Sequence, residues 1–137
     1  YKESQYRGYV CSYIGFNQEQ TTEIYAGADI FLMPSVFEPC GLSQMIAMRY
    51  GCIPVVRETG GLKDTVKPYN EYTGEGDGFG FKQANGDDMI KALRYAVTMY
   101  RRPEVWKEII ANAKKRDNSW KEPAKRYKEI YQKLLEN

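Results

Sequence analysis

Histidine is missing from this chain of 137 residues, and cysteine occurs three times, at Cys11, Cys40 and Cys52. The cysteines have no metal-ligand spacing and no histidine can complete a mixed site with them, so no metal centre is expected. Three cysteines are no paired disulfide framework either, and the expected setting is reducing and cytoplasmic. Long apolar runs are lacking: nothing in the chain is built to span a bilayer, and the N-terminus has no signal-like pattern. The expectation is a soluble protein with no membrane partner. The dinucleotide fingerprint GxGxxG is absent after the first apolar run, where the sequence reads "IGFNQEQ". That counts against a nicotinamide-binding domain, which would also want an acidic residue about 20 positions further on. An initiator methionine is lacking too. Tyr1 stands first, and the chain is expected to be a piece of a longer polypeptide.

The composition that remains is ordinary for a globular protein, 42% hydrophobic and 28% charged, and the length fits one domain of the common size, about 100–200 residues. A net charge of +2 is unevenly placed: residues 101–137 hold eleven Lys/Arg against six Asp/Glu, whereas residues 1–60 hold four against six. The basicity therefore belongs to the C-terminal helices. Tyr127 and Tyr131 sit among those lysines, as a nucleic-acid surface would have them, yet their spacing is also that of a packed helix face. A solvated basic face is the preferred reading, and no nucleic-acid partner is expected.

Strand and helix signals alternate along the chain. Val10 to Ile14 is short, apolar and β-branched, which predicts a strand ending at Gly15. Thr21, Ile24, Tyr25 and Ala28 recur at i, i+3, i+4 and i+7, the stripe of an amphipathic helix. "DIFLMP" predicts a second strand, apolar throughout as a central parallel strand is, with Pro34 ending it. "GLSQMIAMRYG" follows as a helix, nearly all apolar apart from Gln44 and Arg49, with Gly51 suited to its C-terminus. "IPVV" is a third strand, and "ETGGLKDTV" turns it into another helix. This order implies a parallel sheet with right-handed crossovers, a Rossmann-like α/β domain.

Beyond residue 65, "KPYNEYTGEGDGFGF" is polar and glycine-rich, and is expected to cross the surface and return as a short strand at Phe79 to Phe81. A phosphate cradle needs its glycines between a strand and a helix N-terminus. Here "GEGDGFG" leads into a strand, and it is read as turn and loop. Three helices close the chain. Asp87 or Asp88 can cap the first, with a stripe of Met89, Ile90, Leu93, Val97 and Tyr100. Pro103 suits the first turn of the second, whose apolar face is Val105, Trp106, Ile109, Ile110 and Ala113. Ser119 and Glu122 have capping-box spacing before the third, whose narrow stripe is Ala124, Tyr127, Tyr131 and Leu134. Trp106 and Trp120 are read as packing residues.

In open parallel sheets, ligands bind in the crevice beyond the carboxyl ends of the strands. The strand at Asp29 to Met33 points that end at "PSVFEPCG". Pro39 stiffens the turn, Gly41 permits close approach, and the following helix presents unpaired N–H groups. Two readings of Glu38 stand on this pattern: a helix cap in a structural loop, or a carboxylate that takes two hydrogen bonds from adjacent sugar hydroxyls. The strand at Ile53 to Val56 runs into "RETGGL", where Thr59, Gly60 and Gly61 can cradle a diphosphate at a helix start. Together the two loops suggest one crevice for a sugar nucleotide. For Cys40, fit to the bend is preferred over thiol reactivity, and Arg57 is either a phosphate contact or a surface residue.

With those residues in place, "IYAGADIFLMPSVFEPCGLSQMIAMRYGCIPVVRETGGLKDTV" closely resembles the signature region of bacterial and plant glycogen/starch synthases of the GT-B glycosyltransferase superfamily. The likeness is dense from about Tyr13 to Val66 and continues weakly to the end. It implies the C-terminal half of a two-domain enzyme, with residues 1–137 a single but partial Rossmann-like donor-binding domain and C-terminal helices over about 87–135. The activity implied is retaining transfer of glucose from ADP-glucose or UDP-glucose to the non-reducing end of an α-1,4-glucan, with no metal or cofactor. By matched position, Glu38 is implied as the catalytic-site acid that contacts the donor glucose. Cys40, Gly41 and Leu42 are implied to line the same pocket, and Thr59, Gly60, Gly61 and Leu62 to receive the distal phosphate and sugar. Gly15 and Phe16 are implied beside the nucleotide base. The glutamate that many relatives carry eight positions after the first is Ile46 here, as is common in this subfamily.

The family's phosphate-binding arginine and lysine, its sugar-contacting histidine and the glucan-binding domain would all lie upstream of Tyr1. The isolated chain is therefore expected to transfer no glucose. Two alternatives stand beside this reading: a noncatalytic sugar-nucleotide or glucan-binding module, and another GT-B glycosyltransferase.

Overall fold

The computed structural model describes residues 2–135; Tyr1, Glu136 and Asn137, the ends of the expected unit, lie outside the described residues. The elements are α1 (Lys2–Gln5), α2 (Gln18–Gly27), β1 (Ile30–Met33), α3 (Ser43–Tyr50), β2 (Ile53–Arg57), α4 (Gly60–Thr65), β3 (Phe79–Phe81), α5 (Gly86–Tyr100), α6 (Pro103–Lys115) and α7 (Lys121–Leu135). The strands form one parallel sheet in the order β1-β2-β3, with Ile30 opposite Ile53 and Val55 opposite Phe79. Parallel pairing needs a crossover between strands, and α3 supplies the one from β1 to β2. The alternation expected from sequence is present, and the fold is the α/β class expected.

Local chemistry explains where the helices begin and stop. Asn17 caps α2, its Oδ1 accepting from the Gln20 N–H at 3.1 Å. Gly51 ends α3 in the left-handed region at φ 85°, donating to the Ala47 and Met48 carbonyls, a conformation that costs glycine little. Pro103 opens α6, where its missing N–H is no loss.

Phe79 on β3 is the centre of the core, stacked on Trp106 at 6.3 Å and edge-on to Tyr95 at 5.5 Å. Met48, Ile53, Val55, Val56, Leu62 and Ile109 close around it. A second cluster joins Tyr25, Ala47 and Cys52, with Phe31 edge-on to Tyr25 at 5.5 Å.

Several expectations are corrected. Val10 to Ile14 is not a strand, and Ile14 is fully exposed. A strand exists only through a ladder partner for its backbone groups, and among the described residues the sheet stops at β1. Among the described residues β1 therefore lies at the edge of the sheet, with Leu32 exposed, where a central strand was expected. Helix α5 is capped by Asn85, which accepts from the Asp88 N–H at 2.9 Å, and not by either aspartate. Its buried face is Ala92, Ala96 and Met99, so Ile90, Val97 and Tyr100 lie at the exposed margin of the predicted stripe.

The segment at 66–78 crosses the surface over much of its length, as expected, with Tyr72 exposed, but Val66 and Tyr69 turn inward and its end dips into the interior, where Gly76, Asp77 and Gly78 are buried. The Asp77 carboxylate accepts from the Lys67 N–H at 2.7 Å and pairs with Arg116 at 2.7 Å, while Asn112 Nδ2 donates to the Gly74 and Gly76 carbonyls. Helix α7 has no buried residue, and Trp120 beside it is 82% exposed where packing was expected.

Candidate functional site

The carboxyl ends of β1 and β2 carry the two loops that the sequence singled out, 34–42 and 58–61. They meet through the backbone: the Gly61 N–H donates to the Glu38 carbonyl at 3.1 Å. The approach is tight enough to demand glycine. A Cβ at Gly60, which sits at φ +43°, would lie 2.2 Å from the Glu38 carbonyl oxygen, and one at Gly61 would lie 2.3 Å from the Cys40 carbonyl oxygen. Gly41, at φ +75°, is the third position where only glycine is unstrained.

Glu38 is half-buried, and its carboxylate makes no hydrogen bond or ion pair among the described residues. The N-cap position of α3 is Leu42, with no side-chain cap, so Glu38 does not cap that helix. Thr59 at the start of α4 likewise offers no side-chain cap. Two neighbouring helices thus begin without a side chain on their first amides. The N–H groups of Gly41, Leu42, Ser43 and Gly60 have no partner among the described residues. Orphan amides at a helix start carry partial positive charge and suit an anion.

The other predicted residues divide. The Gly61 N–H donates to the Glu38 carbonyl and the Leu62 N–H to the Thr59 carbonyl, both at 3.1 Å, so among the described residues Gly60 is the glycine of this loop whose amide is free. The Leu62 side chain is fully buried in the core, because a leucine one turn into α4 faces the sheet. Cys40 and Leu42 are exposed beside Glu38. Gly15 and Phe16 lie in the irregular stretch before α2, with the Phe16 ring 90% exposed. Among the described residues no three His, Cys, Asp or Glu side chains gather to hold a metal ion. A hollow of about 510 Å³ lies on the adjoining flank of α3, between Met45, Ile46 and Arg49 and the end of α6; it shares Leu42 with the candidate site but holds none of its polar groups.

Sequence reasoning missed the part that three residues play in holding the loops. Arg57, at the end of β2, donates through Nε to the Ser35 carbonyl at 2.8 Å and through Nη2 to the Val36 carbonyl. Partly buried, it braces the Glu38 loop from below. Gln44 and Thr65, both polar on otherwise packed helix faces, connect the far end of that loop to α4. A lone polar residue in the apolar run "SQMIAM" was the visible signal for the first of them.

Comparison with known proteins shows the family of this fold. The family model for glycosyl transferases group 1 matches residues 7–116. The chain is 84% identical over 136 residues to the glycogen synthase of Fusobacterium nucleatum subsp. nucleatum, covering 99% of this chain and 30% of that protein. It is 55% identical over 130 residues to the glycogen synthase of Geobacillus stearothermophilus, covering 95% of this chain and 27% of that protein. Among solved structures, the catalytic domain of starch synthase IV from Arabidopsis thaliana, bound to ADP and acarbose, superposes with a TM-score of 0.82 at 38% identity, over 90% of this chain and 26% of that one. The chain belongs to the group 1 glycosyl transferase family. It spans about 30% of the length of the curated relatives it matches.

Proposed function

We propose that this chain is the donor-binding part of a glycogen synthase: a retaining glucosyltransferase that moves glucose from ADP-glucose or UDP-glucose to the non-reducing end of an α-1,4-glucan in the cytoplasm. The observation that carries this reading is the contact between Gly61 and Glu38, which brings a free carboxylate and two uncapped helix starts to one end of the sheet. The names of the relatives and the structural likeness to a starch synthase support it.

Cleaving the glucosyl bond develops positive charge on the sugar and negative charge on the departing diphosphate. Preorganised N–H groups aimed at the latter stabilise it where it forms, a role open to the amides of Gly41, Leu42 and Gly60 together with the Thr59 hydroxyl. Glu38 accepts from sugar hydroxyls and orients the ring. Phe16 offers a ring for the base to stack on. No metal or cofactor has a part in this scheme, and the glucan is held by a portion of the protein outside this chain.

Calorimetry with ADP-glucose, UDP-glucose and NAD tests the reading, on the chain alone and joined to the remainder of the Fusobacterium nucleatum relative. The joined protein is expected to bind a glucose nucleotide and not NAD, and to extend a glucan. The chain alone is expected to transfer none. Glu38→Gln is expected to weaken the sugar nucleotide by about tenfold while leaving ADP affinity near its original value, since a neutral amide loses a charge-assisted bond to the sugar only. Equal weakening of both ligands, or preferred binding of NAD, overturns the assignment.

A further inference from the structure

We propose that the buried carboxamide of Gln44, acting with the Thr65 hydroxyl, is a positioning group that sets the spacing between the Glu38 loop and the Gly60–Gly61 turn. Its consequence for donor binding rests on the function proposed above. Gln44 is fully buried, one of two buried polar residues together with Asp77 among the described residues. Being out of reach of any solute, it acts through others.

Gln44 Nε2 lies 2.9 Å from the Gly41 carbonyl oxygen, 3.2 Å from that of Cys40 and 2.9 Å from Thr65 Oγ1. Thr65 Oγ1 in turn donates to the Gly61 carbonyl at 2.5 Å. Donors and acceptors alternate consistently along this path: the amide gives its protons to carbonyls and to a hydroxyl lone pair, and the hydroxyl gives its single proton onward. Turning the amide over would aim its oxygen at two backbone carbonyls, so the chemistry fixes its orientation. The result is a continuous hydrogen-bonded tie from Gly41 through two side chains to Gly61. Arg57 holds the other end of the loop at Ser35 and Val36, and Glu38 lies between the two anchors.

Packing alone does not call for glutamine here. Its Oε1 is buried without a partner, a state that an apolar side chain of equal length would avoid. That oxygen sits 2.5 Å from where a Cβ on Gly41 would project, so the left-handed glycine and the glutamine share one volume. What glutamine supplies, and methionine cannot, is the bridge between the loops. A residue that keeps an unsatisfied buried atom in order to join two ligand-facing segments points to function rather than stability.

Four variants of the chain test this: Gln44→Met, Thr65→Val, Thr65→Ser and the double Gln44→Met/Thr65→Val. The readouts are exchange of the Gly61 amide by NMR, thermal melting, and ADP-glucose affinity well below the melting temperature in the joined protein. Gln44→Met and Thr65→Val are each expected to quicken Gly61 exchange and to raise the dissociation constant by about tenfold, the loss of one hydrogen bond's worth of placement. Melting of Gln44→Met is expected to hold or rise. Thr65→Ser keeps the hydroxyl and should behave as the unaltered protein, and the double variant should be no worse than the weaker single, because both break one path. Unchanged Gly61 exchange in the two single variants overturns the proposal, and Thr65→Val decides it should Gln44→Met fail to fold. Faster exchange with unaltered donor affinity also overturns it. If the unaltered joined protein binds no sugar nucleotide while exchange responds as expected, the tie stands and the donor assignment falls.

Discussion

At Gly61 two chain segments meet with no room for a methyl group, and the energetics of the site concentrate there. Alanine at 61 must displace the Cys40 backbone, and alanine at 60 must displace that of Glu38 while also holding a positive φ. Either substitution is expected to cost about 3 kcal/mol or more, in the range reserved for backbone strain and overpacking. Gly86 at the start of α5 has nothing within 4 Å of its virtual Cβ, so Gly86→Ala should be near neutral in the same urea titrations. Equal effects at 61 and 86 would remove the close approach. A second residue-level expectation concerns Cys52, whose thiol is pushed up to about 11 by burial and by the nearby Asp29 carboxylate, from an ordinary 9.0. The unfolded chain releases this proton first, so the stability it contributes is intact below pH 9 and is lost as pH rises toward 11. The slope of stability against pH over that window should be shallower in Cys52→Ala. Glu38, Thr59, Gly60 and Gly41 were legible because their signal is local: acid, glycine and helix start follow one another in the sequence. Gln44, Arg57 and Thr65 were not, because what they touch is set by how β1 and β2 lie side by side.

Elements were legible where a single stretch decides its own fate. The run at Ile53 to Val56 is apolar on both faces and lies buried at the centre of the sheet, and Gly51 stops α3 where a left-handed residue was expected. The stretch at Val10 to Ile14 has the same β-branched look, but a strand is a property of a pair, and its partner could not be read from its own residues. The other error concerned which face of α5 is buried: the helix turns the small residues Ala92 and Ala96, with Met99, to the core, and Ile90 and Val97 lie at its exposed margin. The 66–78 segment crosses the surface as its polarity suggests, but its buried end, with Asp77, is held by Asn112 on α6 and by Arg116 just beyond it. Arg116 holds the buried Asp77 at 2.7 Å and also donates to the Asp64 carbonyl at 2.9 Å. Arg116→Ala leaves a carboxylate buried without its cation and is expected to destabilise by about 3–5 kcal/mol, with the double variant Asp77→Asn/Arg116→Ala recovering part of it. Denaturant midpoints of the three proteins check this, and no recovery in the double variant would show that the pair acts independently.

Across the whole molecule, stability and exposure are unevenly divided. The core gathers around Phe79, between the sheet and the helices α3, α5 and α6, while α7 keeps Tyr127, Ile130, Tyr131 and Leu134 more than half exposed. A helix of 15 residues that buries nothing draws little from tertiary packing, and isolated helices of that length are marginal in water. Its own ties are short-range: Lys125 to Glu122 at 2.7 Å and the Tyr127–Tyr131 ring pair at 6.4 Å, worth only about 0.2–0.5 kcal/mol each in an exposed helix. Removing residues 121–137 is therefore expected to leave the melting temperature within about 2 °C, because a shift of 1 kcal/mol corresponds to only a few degrees in a domain of this size. The far-ultraviolet helical signal should fall while the near-ultraviolet signal of Trp106, packed against Phe79 and Tyr100, is kept. A drop of ten degrees would mean that α7 stabilises the core by a route other than the burial of its own side chains. An unchanged melt would show that this core holds its stability without α7.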